Sequence, residues 1–330
     1  MKWIKEKIFW LIRWFKVIVV RRIIHFSRRI ILPGFEGVSL WEILFFFVWS
    51  IRRGLLSTRA SSLAFHFFLA MIPFGLILVV LSAYIPFFDL ERDVAPVLGS
   101  FIPESLFNNF TSNLDEFHNS TVNSLISFGF ILALYFSSNG FTELIQAFNS
   151  SKANFDKRSW LSTKITSFLF VVGIIIGILA LFLGVLIVRK MLHFAGENSD
   201  FIANNVSWIF STITFVVVIA TLYFTIAFIY YFGPSNRKQF KFFSAGATLA
   251  TVLIILSSQL YSFYIQQFAT YNQLYGSLGT IMILLLWIYL ISFVLLLGFE
   301  LNASIHGAMQ KKKLDNLGEI KERYKKEPVI

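Results

Sequence analysis

The sequence predicts an all-α fold: a polytopic membrane protein of six transmembrane helices, preceded by amphipathic helices that lie in the membrane interface. Three observations carry this. Hydrophobic residues make up 56% of the 330-residue chain and charged residues 14%, with 40 Phe and 8 Trp, far from a soluble composition. Apolar runs of about twenty residues or more recur, and at 1.5 Å per residue such a run crosses a hydrocarbon core of about 30 Å. Lys and Arg cluster on alternate connections between these runs, as cytoplasmic loops do.

Residues 1–59 form a basic N-terminal region. Along Trp3–Val20, Lys2, Lys5, Glu6, Arg13 and Lys16 share one side of a helical wheel. Trp3, Ile4, Ile8, Trp10, Leu11, Phe15 and Ile18 share the other, with Lys7 as an exception. Arg13 and Lys16 break the run, so it is too short to span, and no small-residue cleavage site follows it. A helix lying on anionic head groups fits this pattern. A basic helix packed on the protein's own spans is the alternative. Pro33-Gly34 interrupts the chain. Leu40–Ile51 is apolar but too short to cross, and is predicted as a second surface helix that feeds the first span.

Residues 60–304 are predicted to be the six-span domain, with spans at about 61–85, 122–147, 165–188, 206–231, 242–268 and 278–303. Pro73 sits near the middle of the first span, where it removes a backbone hydrogen bond and should kink the helix. An acidic outer loop, 86–121, carries Asp89, Glu91, Asp93, Glu104, Asp115 and Glu116. The polar run Ser137-Ser138-Asn139-Gly140 interrupts the second span. On the third, Gly173, Gly177, Ala180 and Gly184 make a small-residue stripe that lets another helix approach closely. Residues 305–330 form a charged tail. No internal repeat is visible.

Charge sets the orientation. Of the 29 Lys and Arg, only Arg92, Arg189 and Lys190 fall on the odd-numbered connections or their edges. Such a bias predicts both termini in the cytoplasm. It also accounts for the net charge of +11 without nucleic acid. The partners it implies are membrane lipids, through anionic head groups at the basic N-terminus.

The candidate site is polar and buried. Glu143 near the end of the second span and Glu300 near the end of the sixth should reach the cytoplasmic boundary, where a carboxylate is costly unless paired, hydrated or protonated. Arg59 enters the first span at the same depth and is a partner for them. Asn302, Asn149 and Asn139 can add hydrogen bonds. Deeper, Tyr135, Ser137, Ser138 and Asn139 stand level with Ser257, Ser258 and Gln259 of the fifth span. The functional reading is a polar vestibule or path. The structural reading is an ion pair and interhelical hydrogen bonds that fix packing. The turn Tyr271–Gly279 reads as an outer gate or as a tight turn in the aromatic belt. His66 has no second His at i+4, so no zinc helix motif is present.

Several of these stretches carry a resemblance. GPSNRK, AGATLAT, YNQLYGSLGTIMILLLWIY and LLGFELNA, with ASSLAFHFFLAMIPF upstream, resemble the motifs of the YihY/BrkB family of bacterial inner-membrane proteins, in the same order from about Leu55 to Ser304. The resemblance implies six spans and the plasma membrane, and little chemistry. Some members were once labelled ribonuclease BN. The residues argue against an enzyme of that kind. Metal-dependent phosphodiester cleavage needs gathered carboxylates or His, and no cluster with ligand spacing, P-loop or nucleophile elbow is present. With no Cys, thiolate metal sites and a Cys nucleophile are excluded, and no cofactor is expected. Two function classes remain. One is a transporter or flippase of a small or lipidic solute. The other is a non-transporting envelope protein that binds lipid or partner proteins.

Overall fold

The computed structural model describes Ser27 and residues 37–53, 55–84, 126–151, 158–197, 200–235, 241–267 and 277–326. Seven helices of these residues concern us: α1 Leu40–Arg53, α2 Leu56–Tyr84, α3 Ile126–Asn149, α4 Trp160–Glu197, α5 Asp200–Phe232, α6 Ala245–Gln267 and α7 Ser277–Lys326. No strand occurs among the described residues. Trp3–Val20, the acidic loop 86–121 and most of the Tyr271–Gly279 turn lie outside them.

Four helical stretches are long and apolar enough to cross a membrane: Trp160–Gly196, Asn205–Phe232, Ala245–Tyr264 and Ile281–Leu314. With α2 and α3 they make a closed ring. α2 packs on α3, α3 on α4, α4 on α5, α5 on α6, α6 on α7, and α7 returns to α2. Each helix thus touches its sequence neighbours, as consecutive elements usually do. α1 stands outside the ring against α7.

Local chemistry sets the helix ends. Ser39 and Glu42 form a reciprocal capping box at the start of α1: each backbone N–H meets the other's side chain at 3.4 Å. At Leu55, between α1 and α2, φ is +48°, the left-handed region that lets one helix stop and another start. Ser159 caps α4. α5 ends at Gly233, whose N–H bonds the Ile229 carbonyl at 2.9 Å, and Pro234 cannot continue the helix.

The sequence places the sixth span's end near residue 303, but α7 does not stop there. It continues through the predicted tail to Lys326, 50 residues in all, roughly 75 Å at 1.5 Å per residue. An apolar run marks where a helix leaves hydrocarbon, not where its hydrogen bonding ends. Beyond 303, Ile305 and Ala308 still have a partner surface. They pack with Val38 and Ile43 of the α1 segment, and Lys312 Nζ donates to the Gly37 carbonyl at 2.9 Å.

The main core lies at one end of the ring. It gathers Leu56, Ala60 and Leu63 of α2, Leu144 and Phe148 of α3, Phe170 of α4, Ile226 and Tyr230 of α5, Ala247 and Ala250 of α6, and Leu296 and Phe299 of α7. These lie near the starts of α2, α4 and α6, near the ends of α3 and α5, and midway along α7, which runs on past this end; Arg59, Arg158 and Lys241 stand at the same, basic end. Phe148 and Phe299 stack there with centroids 4.0 Å apart.

Candidate functional site

Helix α7 carries Glu300 into this packed end. Its residue is 1% exposed. Arg59, from the first turn of α2, reaches it: Nη1 lies 2.6 Å from Glu300 Oε1. Arg59 Nη2 donates to the Ala147 carbonyl on α3 at 2.5 Å. The other carboxylate oxygen accepts from two hydroxyls, Ser50 of α1 and Ser151 just past α3, at 3.0 Å. One carboxylate therefore ties four segments of the chain together. An unpaired acid here would be untenable; a paired one satisfies its charge and both oxygens.

Glu143 is held one helical turn away and separately. Ser62 of α2 donates to its Oε1 at 2.7 Å. The two carboxylates thus bind neighbouring turns of α2 through different side chains. His66, a turn further on, is bonded within its own helix, with Nδ1 2.9 Å from the Ser62 carbonyl.

Asn302 does not join the ion pair. It lies one turn of α7 from Gly298, where α6 and α7 cross at backbone contact. A β-carbon placed on Gly246 would lie 2.1 Å from the Gly298 carbonyl oxygen, so only glycine fits. Asn302 Oδ1 accepts from the Gly246 N–H at 2.7 Å, and its Nδ2 donates to Ser244 Oγ at 2.9 Å. Ser244 itself caps α6 through the Ala247 N–H. Asn302 supplies a second cap from another helix, satisfying an orphan donor of the helix start. Tyr230 braces the same region by donating to the Leu295 carbonyl at 2.6 Å.

The deeper polar residues divide. Asn139 Oδ1 accepts from Lys164 Nζ at 2.6 Å, and that ammonium also stands 5.0 Å from the centre of the Tyr135 ring. Ser138 bonds the Tyr135 carbonyl of its own helix. Ser137 is 1% exposed and its hydroxyl has no partner among the described residues. Ser257, Ser258 and Gln259 sit on α6, which packs on α7 and α5, whereas α3 packs on α2 and α4. The two groups thus stand on helices that are not main packing neighbours in the ring. Asn149 ends α3, two residues before Ser151. Pro73 lies inside α2. Gly173, Gly177 and Gly184 face α5, where β-carbons would meet Phe228, Thr225 and Val217 at 2.7, 3.4 and 3.2 Å.

Sequence reasoning did not find Ser50, Ser151, Gly246 or Gly298. The serines are separated from Glu300 by 250 and 149 residues, with no local signal. Gly246 did carry one, since it lies among small residues (AGATLA) at the start of an apolar helix, whereas Gly298 stands between Leu and Phe. Among the described residues no three His, Asp, Glu or Cys side chains converge as metal ligands do.

Comparison with known proteins places this arrangement. A ribonuclease-like protein, YfkH, of Bacillus subtilis (strain 168) is 31% identical over 259 residues, which is 78% of this chain and 91% of that protein. A UPF0761 membrane protein of Pseudoalteromonas atlantica (strain T6c / ATCC BAA-1087) is 25% identical over 289 residues, covering 84% of this chain and 90% of its own length. In Idiomarina loihiensis, the UPF0761 membrane protein IL2447 is 42% identical over 77 residues, 23% of this chain and 27% of that one. No solved structure matches. The family described as virulence factor BrkB matches residues 49–319, from beside Ser50 past Glu300 and Asn302, and this chain is a membrane protein of that family.

Proposed function

We propose that this protein moves a lipidic solute across the bacterial inner membrane, and that Arg59–Glu300 is the latch that closes its cytoplasmic end. In this reading α2 and α3 join the four long apolar stretches as spans, giving six, with both termini cytoplasmic as the positive charges require. The protein has no nuclease or other enzymatic role.

One observation carries the reading: a carboxylate 1% exposed and paired across helices at the packed end of the ring. A buried ion pair is seldom worth more than well-packed apolar side chains of the same volume, and its best-attested use is as a register or switch element. This pair links α1, α2, the end of α3 and α7, so breaking it frees four segments at once. The core that seals the ring lies at the same end. Closure at one end with a breakable joint is what alternating access needs.

The second reading is a fixed joint in a non-transporting envelope protein. Both oxygens of Glu300 are already bonded within the chain, which favours it. The test is lipid translocation in proteoliposomes, followed by dithionite bleaching of a fluorescent phosphatidylglycerol. Under the transport reading the protein speeds entry of the inner-leaflet pool into the bleachable pool, and Glu300→Gln loses this. Equal rates with protein, with the variant and with empty vesicles refute it.

A further inference from the structure

A groove lies between α4 and α5, away from the ion pair. Its volume is about 630 Å³, and Leu169, Ile176, Ala180, Phe224, Phe228 and Phe242 are among its lining residues. Among the described residues the lining includes no charged side chain. Its hydroxyls are spoken for: Thr166, Thr221 and Thr225 each donate to the carbonyl four residues earlier in their own helix, at 2.8–2.9 Å. The groove therefore offers nothing to a polar ligand. It exists because Gly173 and Gly177 bring α4 close to α5 at one edge, while Ala180 leaves the space beside them open and exposed.

The basic end of the groove differs. Phe232 and Phe242 close it, within an aromatic group that also includes Phe224, Phe228, Tyr231 and Phe243. Arg158 donates to the carbonyls of Phe232 and Gly233 at 3.3 and 3.4 Å. Lys241, next to Phe242, is exposed. An apolar trough that ends in aromatic rings and two cations has the polarity of a lipid with an anionic head group.

We infer that the α4–α5 groove binds one acyl chain of an anionic phospholipid, with its head group at Arg158 and Lys241. The site is distinct from the latch, and occupancy does not require that the lipid be moved, so it stands or falls apart from the transport reading.

The test uses the full-length protein in nanodiscs containing phosphatidylglycerol or phosphatidylcholine with a photoactivatable acyl chain, and maps the label by mass spectrometry. With phosphatidylglycerol, label should concentrate on Ile176, Phe224 and Phe228 over the exposed Phe65 and Leu69 of α2. Lys241→Gln should lower it roughly fivefold, the worth of one cation beside an anionic head group, and leave phosphatidylcholine labelling unchanged. Ala180→Trp should abolish groove labelling by filling it. If that variant does not fold, Ile176→Trp serves. Even labelling of α2 and the groove, or equal labelling by the two lipids, overturns the inference.

Discussion

Removing the cation of the Arg59–Glu300 pair should do more damage than neutralising the pair. In Arg59→Ala, Glu300, 1% exposed in the wild type, keeps only the Ser50 and Ser151 hydroxyls. A buried charge stripped of its partner costs roughly 3–5 kcal/mol. At about 2–4 °C per kcal/mol for a large domain, the melting temperature in detergent should fall by roughly 6–20 °C. Glu300→Gln costs less, about 1.5–3 kcal/mol for the lost charged hydrogen bond. Arg59 still has the Ala147 carbonyl, and a carboxamide oxygen can still accept from it. The double variant has no buried charge left. It should melt several degrees above Arg59→Ala alone, a coupling of at least about 1.5 kcal/mol. The assay is a thermal series on purified wild type, the two single variants and the double. Losses that add to within about 0.5 kcal/mol would refute the reasoning. Glu143→Gln is the internal control. Its bond runs to Ser62, so its loss should add to that of Arg59→Ala.

Other consequences follow from the α6–α7 crossing and from the charge pattern. Gly246→Ala should prevent stable folding, since its β-carbon would lie 2.1 Å from a backbone oxygen, while Gly75→Ala, with nothing within 4 Å, should be neutral or slightly stabilising; thermal melts compare them. Asn302→Leu should cost about 0.5–2 kcal/mol, the usual worth of an N-cap, and raise amide exchange at Gly246; unchanged exchange there would contradict the cap. A reporter that fluoresces only in cytoplasm should light up after Ile330, and a periplasm-active one should work near Asn113; a dark C-terminal fusion to full-length protein would overturn the six-span proposal.

The long apolar helices were legible because a bilayer imposes a length and a composition that a sequence shows directly. The stretches predicted at 165–188 and 206–231 fall inside α4 and α5. Helix ends were less legible. α4 starts at Trp160 because Ser159 caps it, ahead of the span predicted at 165–188, and so Lys164 belongs to the helix. Glu300 stood out because a lone acid in a hydrophobic run must be answered by something. What answers it was only partly readable: Arg59 shares its depth, but Ser50 and Ser151 are ordinary residues of α1 and of the turn after α3. Depth does not give order around the ring: Ser137 and Ser258 are level by count and belong to helices with different main packing partners. The close approach of Gly246 and Gly298 needed knowledge of which helices cross, which periodicity in one helix does not contain.

The proposed latch can be tested directly because the chain has no Cys. Ser50 and Ser151 donate to the same oxygen of Glu300, so Ser50→Cys with Ser151→Cys places two thiols on either side of the closed joint. Oxidation or a short thiol cross-linker then ties α1 to the end of α3. Lipid translocation is measured on the same proteoliposomes before and after reduction. The account predicts that the linked protein is arrested and that reduction restores the rate of the unlinked double variant. A linked protein that moves lipid as fast as the reduced one would contradict it.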